Sequence, residues 1–173
     1  MIQIVENFFT EKQLKLVQNF ALNKAFYTPR YFHNTKDRTE KNNYGCRFPF
    51  YQEKSGKLYR LFIQRAKIKF KINILKIDND SGLDLRKITT WKFHDDIGKL
   101  NLFIMLYGEE DIHKGTVFQT KQGALSVSVA FKPNRAILFP SSEKHSPHAS
   151  HTGDFNSHRY SATLFIQEYN LIG

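Results

Sequence analysis

From residue 85 onward the chain is written in the period of a β-strand. "LRKITTWKFH", "KLNLFIMLY", "GTVFQT", "ALSVSVAF", "RAILFP" and "RYSATLFIQEY" are rich in β-branched and aromatic residues. Turn formers separate them: "GEED", "KQG", "KPN" and "HTGD". Short strands must pair into sheets, and sheets with one apolar face must pack on another layer. "AFKPNRAILFP" reads as a hairpin with Lys132, Pro133 and Asn134 in its turn.

The first half reads differently. "IQIV" is a short strand, and "NFFTEKQLKLVQNFALNKAF" then starts a helix. Thr10 and Gln13 fit a capping box, with Phe9 and Leu14 spaced for a hydrophobic staple. Leu14, Val17 and Leu22, with Phe20 or Ala21, form an apolar stripe. A second helix follows Ser55-Gly56, with Leu58, Leu61, Phe62, Arg65 and Ile68 at helical spacing. Residues 28–50 are polar and aperiodic and read as one long loop, with Tyr31, His33, Arg38 and Arg47 as candidate substrate contacts. "NDSGLD" reads as a turn. Helices first and strands afterwards specify an α+β domain whose β half is a sandwich or jelly roll.

Bulk properties exclude several classes. A chain of 173 residues suffices for one domain, 1–173, with helical support over about 1–84 and a β core over about 85–170. One cysteine, Cys46, rules out an internal disulfide and favours a reducing compartment. No apolar run approaches the ~20 residues of a membrane span. The first residues lack a signal-peptide pattern, so the expected location is cytoplasmic. The net charge of +10 favours anionic partners. The lysines of "KLYRLFIQRAKIKFKINILK" read first as a solvated helix face and second as a nucleic-acid footprint.

The chemistry concentrates in "TTWKFHDDIGKLNLF". In a strand, residues i and i+2 share a face. His94 and Asp96 therefore point together, and Asp95 points away. An imidazole and a carboxylate on one face can take adjacent positions on a metal ion. A third ligand must come from a neighbouring strand, and "ILFPSSEKHSPHASH" offers His145 just past a strand and a tight turn. Two His and one carboxylate on one side of a metal leave three positions open, as in non-haem Fe(II) oxygenases. An anionic co-substrate then needs a cation. Arg159 begins "RYSATLF", with Ser161 on the same strand face. A guanidinium fork matches a carboxylate, and a hydroxyl adds a further bond.

Together, His94-x-Asp96, "GTVF", "NRAILFPSSEKHSPH" and "RYSATLF" resemble the Fe(II)- and 2-oxoglutarate-dependent dioxygenase superfamily. The opening "IQIVENFFTEKQLKLV" is similar to the strand–helix start of small members, including prolyl 4-hydroxylase-like and phage-borne ones. The resemblance covers most of the chain, with its motifs between about residues 88 and 167. It implies a double-stranded β-helix (jelly-roll, cupin-like) core with the N-terminal helices packed on one sheet. It implies Fe(II) on His94, Asp96 and His145, with His145 preferred over its rival His148 by the spacing after "FPS". It implies 2-oxoglutarate on Arg159 with help from Ser161, and O2 as second co-substrate. The reaction implied is hydroxylation of a C–H bond with release of succinate and CO2. Asp96 separates the chain from family halogenases, which lack this carboxylate. Collagen-type prolyl 4-hydroxylases use a lysine for 2-oxoglutarate, whereas no lysine follows His145 here.

Alternation along "KLNLFIMLY" sets Asn101, Phe103, Met105 and Tyr107 on one face and Leu100, Leu102, Ile104 and Leu106 on the other. The aliphatic face should meet the helices, so Asn101 and Phe103 are candidate 2-oxoglutarate contacts or barrel filling. Trp91 and Phe93 flank His94 as a candidate apolar wall. The primary substrate stays open between peptide or prolyl side chain, small molecule and nucleic acid. The competing function is a non-catalytic jelly-roll module that binds a nucleic acid or small anion.

Overall fold

A helix begins where side chains satisfy the N–H groups its first turn leaves over. In the computed structural model, which describes residues 1–29, 45–53, 56–86, 93–119, 126–147 and 159–173, Thr10 caps helix α1 (Glu11–Asn23). Its Oγ1 accepts from the Gln13 N–H, and the Gln13 side chain accepts from the Thr10 N–H. Val17 and Ala21 form the buried face, with Leu14 and Phe20 at its margin. Leu22 is exposed, so the apolar stripe runs through Ala21 instead. Helix α2 (Lys57–Phe70) starts at Gly56, which has no side chain to cap with. The Glu53 carboxylate does that work, accepting from the N–H groups of Leu58 and Tyr59. Leu58, Phe62, Ala66 and Phe70, spaced by four, face the core; Ile68 faces solvent.

The strands are β1 (Gln3–Val5), β2 (Thr28–Pro29), β3 (Gly45–Pro49), β4 (Ile72–Ile77), β5 (Gly82–Arg86), β6 (Leu100–Tyr107), β7 (Asp111–Gln119), β8 (Ser126–Phe131), β9 (Ala136–Pro140), β10 (His145–Pro147) and β11 (Arg159–Leu171). Among the described residues, eight of them form one antiparallel sheet in the order β1-β9-β6-β11-β5-β3-β2, with β4 also on β11. The long β11 is its spine. β6 runs along one edge, and β5 and β4 share the other. A second sheet has the order β10-β7-β8.

Each sheet face has its own core. Leu102, Ile104, Leu138, Leu164 and Ile166 pack with the two helices on the outer face of the larger sheet. On the inner face, Phe103, Met105, Ile137 and Phe139 pack against Phe118, Val129 and Phe131 of the smaller sheet. Two sheets closed over an apolar interior, with helices on one of them, form the expected α+β jelly roll.

Several local expectations are corrected. β8 and β9 lie in different sheets, so "AFKPNRAILFP" is a crossing between sheets and not a hairpin. Asn134, at φ 69°, anchors that crossing: its Oδ1 accepts from the Phe9 N–H and its Nδ2 donates to the Phe9 carbonyl. The stretch 28–50 contributes β2 and β3, because β3 completes the hydrogen bonding of β5 despite its polar sequence. The lysine-rich run is likewise not all helix. α2 ends at Phe70, Lys71 turns the chain at φ 57°, and β4 begins at Ile72. Finally, Tyr107 leaves the face of Asn101. A register shift on β6 sets Tyr107 opposite Tyr160, whose ring it meets at 6.1 Å on the helix side.

Candidate metal centre

The segment before β6 is delivered to the mouth of the barrel by backbone bonds. The His94 N–H donates to the His145 carbonyl at 3.0 Å, and the His145 N–H returns a bond to His94 at 2.9 Å. Such a reciprocal antiparallel pair puts both side chains on one face. Their rings lie 4.5 Å apart between centroids. Two residues on, the Asp96 N–H donates to the Ser141 carbonyl at 2.9 Å. A turn at Gly98 follows, and the Lys99 N–H joins the Ile166 carbonyl of β11. Gly98 has φ 92°, and a Cβ there would stand 2.8 Å from the Ile166 oxygen. Only glycine allows that approach.

His94, Asp96 and His145 each offer a ligand atom within 4.8 Å of the others. The Asp96 oxygens stand 3.7 Å from His94 Nε2 and 3.1 Å from His145 Nε2. Asp95 is exposed and is not part of this group. His145 is ordered by its other nitrogen, with Nδ1 2.9 Å from the Glu143 carbonyl. A carbonyl only accepts, so Nδ1 carries a proton and Nε2 is the ring atom turned toward Asp96. At that distance a proton or a metal ion must lie between Nε2 and the carboxylate oxygen. The donor set therefore suits a divalent metal such as iron. Phe118 and Phe139 pack around the His145 ring, with centroids at 6.0 and 4.9 Å.

The same inner face carries the cation found in the sequence. Arg159 and Ser161 are buried at the start of β11, and Ser161 lies opposite Met105. Arg159 Nη1 donates to the Gly115 carbonyl at 3.1 Å, and its guanidinium carbon is 6.0 Å from the Phe131 ring centre. Gly115 is obligatory there, since a Cβ would fall 1.8 Å from the Val129 oxygen. The Ser161 Oγ is fully buried and has no hydrogen-bond partner among the described residues. Leaving a buried hydroxyl unbonded costs free energy, which a polar ligand in the barrel would recover. Phe103 lines the interior between these two ends.

One further polar group departs from the sequence reading. Arg47 does not reach for a substrate: it is buried in an ion pair with Asp84, Nε to Oδ1 at 2.8 Å. Thr163 Oγ1 donates to the same carboxylate at 2.9 Å, and the Asp80 carbonyl accepts from Arg47 Nη1. Asp84 went unnoticed in the sequence because it sits in a segment that reads as a turn. Asn101 is on the inner face as expected, and its amide donates to Asp96. Phe93 is exposed beside His94. Tyr31, His33, Arg38, Trp91, His148, His151 and His158 lie outside the described residues.

Comparison of the whole fold with solved structures gives a consistent neighbourhood. An oxidoreductase of the 2OG-Fe(II) oxygenase family from Burkholderia pseudomallei superposes with a TM-score of 0.70 at 11% identity, over 99% of this chain and 86% of that one. The fold is that of the 2-oxoglutarate/Fe(II) oxygenases. A prolyl hydroxylase from Trichoplax adhaerens, in complex with a hypoxia inducible factor peptide fragment, matches this oxygenase fold with a TM-score of 0.65. Its identity is 13%, over 96% of this chain and 83% of that one. HygX from Streptomyces hygroscopicus, with nickel and 2-oxoglutarate bound, gives 0.66 at 8% identity over 94% and 81%. No family model and no curated protein matches the sequence. Among the described residues no helix is long and apolar enough to cross a membrane.

Proposed function

We propose that this protein is an Fe(II)- and 2-oxoglutarate-dependent dioxygenase that hydroxylates a substrate C–H bond. The observation that carries the reading is the convergence of His94, Asp96 and His145 at one end of a barrel whose inner face also holds Arg159 and the unbonded Ser161 hydroxyl. Bound Fe(II) would supply a centre at which the keto acid and O2 react, so that decarboxylation to succinate and CO2 drives hydroxylation.

The chain's own residues bind and orient. Two imidazoles and the Asp96 carboxylate would hold the metal from one side and leave the other side open. Glu143 keeps His145 Nε2 directed into the site. Arg159 would pair with the distal carboxylate of 2-oxoglutarate, stiffened by the Gly115 carbonyl and the Phe131 ring. Ser161 would donate to the same carboxylate, and Phe103 would flank the chain of the keto acid. Phe118 and Phe139 shield His145 from water. Retention of the Asp96 carboxylate favours hydroxylation over halogenation.

For the substrate we favour a prolyl-like residue of a peptide, supported by the prolyl hydroxylases among similar folds, including one from Pseudomonas putida. The +10 charge also suits a nucleic acid. A steep fall of affinity with salt would favour the nucleic acid, since phosphate contacts release counterions.

The test is an anaerobic titration of the metal-free protein with Fe(II), then 2-oxoglutarate. A saturable visible charge-transfer band, lost in His145→Ala, is expected. A folded protein that takes up no iron and shows no band overturns the reading in favour of a jelly-roll binding module.

A further inference from the structure

Asn101 lies on the inner face of β6, yet its hydrogen bonds lead to the metal end of the barrel and not to the cation end. It is fully buried. Nδ2 donates to Asp96 Oδ2 at 2.5 Å, and Oδ1 accepts from the Ser141 hydroxyl at 3.2 Å. Ser141 is itself buried, and its carbonyl accepts the Asp96 N–H. Ser141 therefore reaches Asp96 twice, through the backbone and through the Asn101 amide. Asn101 pairs in register with Phe165, whereas Ser161 stands opposite Met105. Four residues of strand separate the two positions, roughly 13 Å at the usual rise.

The polarity of this relay is fixed by the carboxylate. Ionised Asp96 only accepts, so the amide must turn its nitrogen toward it. The amide oxygen then faces Ser141, whose hydroxyl must donate. A reversed amide would set its oxygen against the Asp96 carboxylate oxygen, so the contact with Asp96 decides the orientation and the Ser141 hydroxyl adapts to it. Asp96 has two rotatable side-chain bonds, and its backbone bond does not fix them. The Asn101 bond restrains them and occupies one lone pair of Oδ2.

We infer that Asn101 is a positioning residue that, supported by Ser141, holds the Asp96 carboxylate toward the two imidazoles and so sets metal affinity and geometry. This rests on the proposed oxygenase reading. It assigns Asn101 to the metal rather than to the keto acid.

The test uses the full chain and two variants. Asn101→Leu keeps the side-chain size and removes the donor. Ser141→Ala removes the donor to the amide oxygen. Fe(II) affinity is measured by competition with a coloured chelator, geometry by the visible d–d spectrum of the Co(II)-loaded protein, and 2-oxoglutarate affinity on iron-saturated protein. For Asn101→Leu, Fe(II) affinity should fall roughly 10–100-fold, the usual effect of losing a partner behind a metal ligand. The Co(II) spectrum should shift, and 2-oxoglutarate affinity should hold. Ser141→Ala should move both metal readouts the same way by less, and it carries the test alone should Asn101→Leu not fold. Unchanged metal affinity and spectrum overturn the inference, as does a loss confined to 2-oxoglutarate affinity. Failure of the unmodified protein to bind Fe(II) or Co(II) would instead overturn the oxygenase reading itself.

Discussion

Single residues at this site are separable by which way they point. Asp95 and Asp96 are adjacent and chemically identical, yet only Asp96 lies beside both imidazoles. His94→Ala, His145→Ala and Asp96→Ala should each abolish iron-dependent turnover of 2-oxoglutarate, whereas Asp95→Ala should leave it near the level of the unmodified protein. Succinate release under air measures this. The reverse result for the two aspartates would mean the loop enters the barrel in another register. Arg159→Ala should act on the co-substrate rather than on the iron. Loss of a charge-assisted bond, about 1.5–3 kcal/mol, corresponds to a roughly 10–100-fold weaker 2-oxoglutarate affinity. Titration of the charge-transfer band reads it, and Fe(II) affinity should hold. The His-x-Asp pair and Arg159-x-Ser161 were visible in sequence because strand alternation alone decides which neighbours share a face. The Asn101–Asp96 bond was not. Its partners are only five residues apart, but the turn at Gly98 lies between them, and no helix or strand period encodes a contact across it.

At the scale of elements, two features position the site from behind. The first is the turn at Gly98, where the loop that follows Asp96 closes onto β11. Gly98→Ala would force a Cβ against the Ile166 carbonyl in a backbone region that L side chains avoid. A loss of about 1–3 kcal/mol is expected from denaturant unfolding, together with weaker Fe(II) binding. Stability and iron affinity both unchanged would show that the turn adapts. The second is the buried Arg47–Asp84 pair joining β3 to β5, with Thr163 of β11 on the same carboxylate. Asp84→Ala strands the Arg47 charge in the interior, and a loss of about 3–5 kcal/mol is expected. Replacing both partners with apolar residues should recover much of it. A single variant as stable as the unmodified protein would mean that water reaches Arg47. The helices were legible through their capping box and apolar spacing. β3 and β5 were not, because what makes them strands is their place beside one another and β11, not an apolar alternation of their own.

For the whole molecule, the metal should tie the two sheets together. His145 opens β10 of the smaller sheet, while Asp96 leads into β6 of the larger one. An ion bound by both restrains their separation and favours the folded state by linkage. At a free metal concentration 100 times Kd the gain is about 2.7 kcal/mol. For a chain of this size that is roughly 5–10 °C in Tm. Anaerobic melting with Fe(II), and again after a chelator, measures it. A midpoint indifferent to metal while the ion is demonstrably bound would mean that unfolded chains bind it equally well.

The sequence by itself determined the class of fold and which side chains share a face with the candidate ligands His94 and Asp96, because each of these follows from a short-range period or spacing. "FHDD" and "RYSATLF" specify which residues share a face wherever the strands end up. Only the tertiary structure decided which faces meet. It separated β8 from β9 into different sheets, withdrew Arg47 into a buried pair, turned Tyr107 to the helix side through a register shift, and set Asn101 against Asp96. These outcomes follow from how the strands pair and the two sheets close over a common interior, where buried polar groups need partners; even Asn101, five residues from Asp96, meets it only because the chain turns at Gly98.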